Sequence, residues 1–213
     1  MSEIDQIKDR WIVPAGQRLV AAVLQPKVTP EEYRQACADF FGTSSSSIKS
    51  PVFRGMGDFE DLRGINLSGR DLRGLVFAKG DISHGNFDNC LLDDTNFFGA
   101  KLYHTSFKNT KALQRAQFVA TYAQHIDFEN SHFFDSLFFN SDLRYANFKN
   151  AVLDHCDFST ANLQGANLEG ARFIECEAQR LFLSERHQHE PWFKESTFVK
   201  TDIVWLPDET AQA

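Results

Sequence analysis

A large apolar residue recurs at every fifth position through the middle of this chain. The spacing begins at Leu62, slips by one residue after Phe107, resumes at Leu113 and continues to Ala178. We call these 24 positions the pentad centres, and 22 of them are Leu, Ile or Phe. A helix favours a period of 3.6 and a strand a period of 2.0, so a period of five predicts neither as the repeating unit.

A second constrained position lies two residues before each centre and often holds a small side chain. Examples are Thr95, Ala146 and Cys156. Small residues fit where space is short, so we expect each pentad to point one large and one small side chain inward and three side chains outward. A short unit that cannot bury its apolar face alone stacks on its neighbours to build a continuous core.

The pentads at 161–165 and 166–170 begin Ala-Asn-Leu. They resemble the A(D/N)Lxx motif of the pentapeptide repeat family, and this resemblance covers residues 58–180. It implies an all-β fold, a right-handed quadrilateral parallel β-helix in which each pentad forms one side and four pentads complete one coil. Twenty-four pentads then give about six coils, a tower roughly 29 Å tall at the usual spacing between strands.

The corner of such a coil falls two residues after each centre. Many of these positions are Gly or Asn, such as Gly69 and Asn130. Both residues tolerate the positive φ of a type II turn. We therefore favour turn chemistry over a binding ladder as the interpretation of the Asn series.

The segments on either side of the repeat predict two further parts of the chain. Residues 1–57 do not follow the register, and we expect either a cap over one end of the β-helix or a partner-binding appendage. One helix is predicted near 30–41, because Thr29 and Pro30 are typical of a helix start. The segment Trp11–Leu24 is apolar enough to pack but ambiguous in type.

After the β-helix of residues 58–180, the pattern breaks at the sequence SERHQHEPW, which predicts a polar loop. Phe193, Phe198 and Ile203 then return to a spacing of five. Residues 181–213 are therefore predicted to form a loop and a last partial coil that caps the other end. A β-helix needs such covers because its open ends expose sheet edges.

Composition and charge narrow the functional classes. The formal net charge is −7, so direct binding to nucleic acid is not expected. No apolar run approaches the ~20 residues that cross a bilayer, and residues 1–10 lack the apolar core of a signal peptide. The four cysteines show no CxxC spacing, and we expect a cytoplasmic, bacterial protein that is not associated with a membrane.

No catalytic motif is present in the sequence. We find no P-loop, GxSxG or HExxH pattern, so we expect no enzymatic activity, no cofactor and no catalytic residues. Cys156 and Cys176 are predicted to be stacked inward neighbours. Their spacing would permit a disulfide, but reduced thiols that fill space are favoured in a cytoplasmic protein.

Residues 20 apart, or 21 apart across the slip, are expected to lie directly above one another. His84, His104 and His125 then form a vertical ladder at about 4.8 Å spacing. We interpret it as a pH-sensitive surface in which mutual repulsion lowers the pKa of His104. A metal site is the less favoured alternative, because no carboxylate or thiolate joins the same corner.

The same stacking predicts an exposed apolar surface. Phe98, Val119 and Phe139 follow their centres directly and share one face, with Leu137 beside them and Phe134 on the adjacent face. Contiguous exposed apolar residues mark interaction sites. We expect these five residues to be covered by the N-terminal helix, by a second subunit or by a foreign partner.

The function predicted from these features is a non-enzymatic protein-interaction scaffold that binds another protein through a β-helix face. Family resemblance supplies an alternative, a DNA mimic that modulates or protects DNA gyrase or topoisomerase IV in the manner of antibiotic self-resistance. Residues 58–180 carry 17 acids and 12 bases, a poor copy of duplex DNA. An effector delivered into another cell is a second alternative, and a homodimer is left open.

Overall fold

Residues 61–184 form a coil of stacked pentads in the computed structural model, which describes residues 2–24, 32, 35–36, 38–39, 61–112 and 114–208. Parallel bridges join residues 20 apart, for example Asn66 with Asn86. Across the slip the spacing becomes 21, as between Asn96 and Gln117. One turn of the coil therefore takes four pentads. The right-handed sense and the count of about six coils stay predictions.

Most sides of the coil hold a single bridge, and one side widens into a four-stranded parallel sheet. Its strands are ordered β1-β2-β3-β4. They are β1 Lys111–Ala112, β2 His132–Phe134, β3 Val152–Asp154 and β4 Arg172–Ile174. Each strand pairs with the one a coil above, as Leu153 does with Phe173, so the sheet runs along the coil axis.

The pentad centres fill the interior with two columns of phenylalanine rings. Within one column the rings stack, as Phe118 does on Phe138 at 5.1 Å and 3°. Between columns they meet edge to face, as Phe118 does with Phe128 at 5.3 Å and 87°. Aromatic pairs favour both arrangements. These rings are fully buried, which confirms that the centres point inward.

The small inward positions satisfy their own polar atoms. The hydroxyl of Thr95 donates a hydrogen bond to the carbonyl oxygen of Leu72 at 2.9 Å, and that of Thr105 donates to Ile82 at 3.1 Å. Because a buried hydroxyl without a partner is costly, these bonds explain how Ser and Thr alternate with Ala at a fully buried site.

The corners carry positive φ angles whatever their side chain. Asn130 has φ +56°, as the sequence predicts, but His84 has φ +60° and Tyr145 has φ +59°. Left-handed backbone costs a residue with a Cβ roughly 1 kcal/mol or more. The coil therefore imposes this geometry on residues that would not choose it.

The position of the register slip differs from the sequence-based one. Ala112 is an inward residue: it is fully buried and pairs with Phe133. Leu113 itself lies outside the described residues. The extra residue is therefore absorbed directly after Ala112. The sequence pattern assigned the centre to Leu113 because it is the larger of two adjacent apolar residues.

Two helices precede the coil and pack against its first turn. They are α1 Glu3–Asp9 and α2 Pro14–Leu24, so the ambiguous segment is mostly helical. Arg10, between them, donates hydrogen bonds to the Asp61 carboxylate at 3.0 Å and to the Arg63 carbonyl oxygen at 2.8 Å. The indole of Trp11 donates to the same carbonyl at 2.8 Å.

The helix predicted near 30–41 falls mostly outside the described residues. Positions 32, 35–36 and 38–39 are described, and they are helical. Its proposed start at Thr29 and Pro30 is not described, so the boundaries of this helix stay a prediction.

The C-terminal part returns to the coil after an excursion. Strand β5 Cys176–Ser184 pairs in parallel with β6 Phe198–Leu206. A 3-10 helix, Glu185–His189, and helix α3, Pro191–Glu195, lie between them. The predicted loop is thus mostly helical.

The last partial coil pairs with β5 in an irregular register. Phe198 pairs with Cys176, two residues before the centre Ala178, and Trp205 pairs with Leu183. Irregular pairing around Gln179 shifts the strands relative to the simple spacing of five. Trp205 and Phe198 nevertheless pack against the core.

Candidate interaction surface

Three apolar side chains form an exposed column on one side of the coil. Backbone bonds fix their order: Gly99 N–H donates to the Val119 carbonyl at 2.9 Å, and Ala120 N–H donates to the Phe139 carbonyl at 3.0 Å. Phe98 and Phe139 are each 43% exposed, and Val119 between them is half-buried. The structure thus brings these three predicted residues together at three successive levels.

The other two predicted residues lie in different places. Leu137 bridges to Gln117 and is half-buried on the same side as the column. Phe134 belongs to β2, around the corner, where its ring lies 5.6 Å from that of His155. Phe134 is 40% exposed, so it offers a comparable side chain outside the column.

The surface around the column carries no charge over three levels. We call these nine positions the apolar panel; they are Asn96, Phe98, Gly99, Gln117, Val119, Ala120, Leu137, Phe139 and Asn140. Amides and small residues separate the apolar side chains. The centres of protein interfaces are likewise poor in charge and rich in aromatic residues.

Charged side chains begin at the rims of the panel. On one rim Lys101, Tyr122 and Asp142 are successive bridge partners, and Tyr122 is 51% exposed. Asp142 is held by Arg144 at 2.8 Å. This rim therefore has a lysine at its lower level and a carboxylate at its upper level.

The opposite rim is of mixed charge at its corner. Arg115 pairs with Asp94 across 3.6 Å, and Asp135 occupies the corner one level above Arg115. Asp94 therefore lies one level below Arg115, and Asp135 lies one level above it.

The three predicted histidines form a stack of parallel rings. His84 and His104 lie 5.2 Å apart at 6°, and His104 and His125 lie 4.7 Å apart at 9°. Tyr145 continues the stack 5.0 Å beyond His125. The rings share one corner because each residue occupies the positive-φ position of its pentad.

The middle ring of this stack has a lowered pKa. Burial is the first cause of the lowered pKa of His104, and the charges of His125 and His84 add to it. Repulsion between the rings therefore contributes, but it is not the leading cause that the sequence suggested. Neutral rings are the form that close stacking favours.

Another side of the coil is polar, and its charged side chains form ion pairs with one another. Lys108 lies 3.0 Å from Asp127 and 3.1 Å from Glu129, and Lys149 lies 2.9 Å from Glu169. Acidic side chains on this side therefore face lysines. Pairs this exposed contribute little to stability, but they do neutralise the surface.

The C-terminal excursion contains a buried histidine that the sequence did not single out. The Nε2 atom of His187 lies 3.1 Å from the Ala166 carbonyl oxygen, while its Nδ1 has no hydrogen-bond partner. Its ring is 5.7 Å from Trp192, whose indole donates to Glu190 at 2.7 Å. Burial lowers the pKa of His187. The polar sequence around His187 gives no indication that its side chain is buried.

The inward cysteines are free thiols. Cys156 and Cys176 are both buried, and burial together with the neighbouring Cys176 raises the pKa of Cys156. Among the described residues, no group of three or more metal-ligating side chains is arranged to hold an ion. Within the same residues no helix has the length and apolar character that crossing a bilayer requires.

Comparison with known families identifies the repeat. Residues 137–177 match the model for pentapeptide repeats, in eight copies. No curated protein sequence shows a significant match to this chain.

Several solved structures are similar at low identity. A trypsin-treated form of QnrB1, a plasmid-mediated fluoroquinolone resistance protein, is 21% identical over 65% of this chain and 77% of that chain, with a TM-score of 0.43. The pentapeptide repeat protein Rfr23 from the cyanobacterium Cyanothece 51142 is 16% identical over 52% and 82%, with a TM-score of 0.26. One from the Arabidopsis thaliana thylakoid lumen is 16% identical over 57% and 73%, with a TM-score of 0.27.

Proposed function

We propose that this chain, whose repeats belong to the pentapeptide repeat family, is a non-enzymatic scaffold that binds another protein through the apolar panel. The supporting observation is the pair Phe98 and Phe139, each 43% exposed within nine positions that carry no charge. Contiguous apolar surface of this kind is costly to leave in water and is typical of an interaction site.

The backbone beneath the panel supports the proposal. Each level is tied to the next by hydrogen bonds, such as those from Gly99 to Val119 and from Ala120 to Phe139. The aromatic side chains therefore stand on a backbone that is already ordered. Binding through an ordered surface loses less conformational entropy than binding through a flexible segment.

The distribution of charged side chains gives less support to the DNA-mimicking alternative. A mimic of duplex DNA needs unneutralised acids at close, regular intervals. Here Asp127 and Glu129 lie beside Lys108, and Glu169 lies beside Lys149. A DNA gyrase supercoiling assay separates the two functions, because inhibition or protection from quinolones favours the mimic and the absence of both favours the scaffold. Delivery into another cell stays a prediction.

A capture experiment tests the scaffold directly. Wild type and the double variant Phe98→Asp/Phe139→Asp are immobilised and exposed to lysate of the native host, with Phe134→Asp as the matched control. We expect a protein that is retained by wild type and by Phe134→Asp but not by the double variant. Equal retention by all three proteins would contradict the panel as the binding site.

A further inference from the structure

We propose that the cleft between helix α2 and the first turn of the coil binds a small amphipathic carboxylate, a molecule with an apolar body and one acidic head group. The cleft has a volume of about 690 Å³, which lies within the usual range of small-molecule sites. It shares no residue with the apolar panel, so this proposal goes beyond the proposed function and does not depend on it.

Contacts at one end of the cleft hold its two walls in place. Trp11 donates to the Arg63 carbonyl, as described above. Ile7 lies directly against Gly64, where a Cβ atom would come within 2.8 Å of the Ile7 Cγ2 atom. The walls are thus fixed before a ligand arrives, and binding to a preformed site loses less conformational entropy.

The helical wall of the cleft is apolar. Val20, Ala21 and Leu24 line it, and the indole of Trp11 extends it. Val20 and Leu24 are half-buried, so part of each side chain still faces water. Burial of this surface favours a ligand with an apolar body.

The coil wall presents hydrogen-bond donors. The Oδ1 atom of Asn66 accepts from the Ser68 N–H at 3.1 Å, and that of Asn86 accepts from the Asp88 N–H at 2.9 Å. These bonds fix both side-chain amides at the cleft. In the part of the chain that the structure describes, neither Nδ2 atom has a hydrogen-bond partner. Two N–H donors are therefore left for a ligand.

The same column of residues is bonded farther along the coil. Asn147 Nδ2 donates to Asp127 at 3.0 Å, and Asn167 Nδ2 donates to Asn147 at 3.1 Å. The amides that line the cleft thus lack the bond that their counterparts two to five levels away form.

Basic side chains outnumber acids at the cleft. Lys8 and Arg70 line it, with Asp9 as the acid. Neither base forms an ion pair with another described residue. Such an excess stands out on a chain whose net charge is −7. Because guanidinium, ammonium and amide groups all donate to carboxylate oxygens, the polar side of the cleft fits an acidic head group.

A second cleft, which Leu24 also lines, has the opposite charge. Asp71, Asp93 and Asp94 line it, and its arginine, Arg73, is held by Asp71 at 2.6 Å. Acids repel an anion there. Charge therefore directs a carboxylate to the cleft that contains Arg70.

Octanoate and octan-1-ol are the probes that test this proposal, in NMR titrations of the full chain. We expect octanoate to shift the side-chain amide signals of Asn66 and Asn86 and to leave those of Asn147 and Asn167 in place. Millimolar affinity is expected of so small a probe. Octan-1-ol has the same apolar body without the charge, and it should bind at least about tenfold more weakly.

Variants locate the two halves of the site. Arg70→Gln should weaken octanoate at least about threefold, whereas Arg73→Gln, which removes the same charge outside the cleft, should not. Ala21→Phe changes an exposed helix position and fills the cleft, so it should weaken both probes. Phe98→Asp/Phe139→Asp should bind octanoate as wild type does.

Three results would overturn the proposal. The first is the absence of shifts at Asn66 and Asn86 up to roughly 10 mM octanoate. The second is equal binding of octan-1-ol, which would remove the acidic head group from the argument. The third is an equal loss of affinity in Arg70→Gln and Arg73→Gln, which would reduce the effect to overall charge.

Discussion

The absent side chain of Gly165 makes room for the ring of Tyr145. A Cβ atom built at Gly165 would lie 2.6 Å from both Cδ1 and Cε1 of Tyr145, closer than such atoms approach. The histidine stack therefore ends on a glycine, which lets Tyr145 lie flat against the next corner. His125 in turn packs 5.0 Å from that ring.

Replacing Gly165 with alanine tests this contact. Gly69 is a matched control, because its φ is +70° against +72° at Gly165, and a Cβ at Gly69 would meet nothing within 4 Å. We expect Gly69→Ala to lower the free energy of unfolding by about 1 kcal/mol through backbone strain alone. Gly165→Ala should cost about 1 kcal/mol more, because the ring has to move. Chemical denaturation of the two variants measures both values, and equal losses would contradict a role for Tyr145.

The titration of His104 separates burial from repulsion. Its pKa is lowered first by burial and then by His125 and His84. We expect an NMR titration to place the pKa of His104 below the ordinary value of about 6.5. His84→Gln/His125→Gln, which removes the neighbouring charges but keeps side chains over the ring, should raise it only in part, because burial is the first cause of the lowered pKa. An ordinary pKa for His104 in wild type would end the idea of a pH-sensitive ladder.

His187 is expected to make the C-terminal excursion sensitive to acid. Its pKa is lowered by burial, partly offset by Glu190, while Arg186 lowers it and Asp208 raises it. Because the unfolded chain binds this proton first, stability is full above about pH 6.5 and falls as the pH drops toward the lowered folded value. The slope from this one group is at most about 1.4 kcal/mol per pH unit.

The measurement for His187 is unfolding stability between pH 7.5 and pH 5, with Trp192 fluorescence as a local signal. His187→Gln should flatten the pH dependence, since an amide is able to donate to Ala166 without titrating. His189, exposed in the same 3-10 helix, provides the control. If His189→Gln flattens the curve equally, His187 is not the responsible group.

The contact between Arg10 and the first turn of the coil predicts that loss of the Arg10 side chain destabilises only the part of the coil next to it. Arg10 is half-buried and bonds to Asp61 and to the Arg63 carbonyl, whereas Arg73 forms an exposed pair with Asp71. We expect Arg10→Ala to cost about 1–3 kcal/mol and the exposed Arg73→Ala to leave the free energy of unfolding essentially unchanged. Hydrogen exchange should accelerate at 61–75 in Arg10→Ala and remain slow near 140–160, because repeats contact only their neighbours. Uniform acceleration along the coil would contradict this.

Periodicity predicts most of the coil because its core depends on spacing. The inward direction of Phe118 and Phe138 follows from their phase in the repeat, whereas the stacking of His84, His104 and His125 also needs the four pentads per coil that the resemblance to the pentapeptide repeat family implies. Vertical neighbours are then known without a structure, since one turn always takes 20 residues, or 21 across the slip. For the same reason the column of Phe98, Val119 and Phe139 could be named from sequence.

Where the repeat is interrupted, spacing no longer determines the contacts. The burial of His187 depends on how the excursion folds back over Ala166, and no period encodes that path. The pairing of Phe198 with Cys176 depends on the irregular register near Gln179, which a spacing of five does not encode. The inward position of Ala112 likewise depends on the geometry of one corner.

The extra residue after Ala112 shows how this architecture tolerates a change in length. Hydrogen bonds join each level of the coil to the next. An insertion at a bend therefore changes the number of residues between vertical neighbours, from 20 to 21, but keeps the hydrogen bonds between them. Lengthening at bends is therefore cheap, whereas the same insertion in mid-side would turn a ring toward water. Homologues of this chain can be expected to differ in length at their bends and to keep their sides constant.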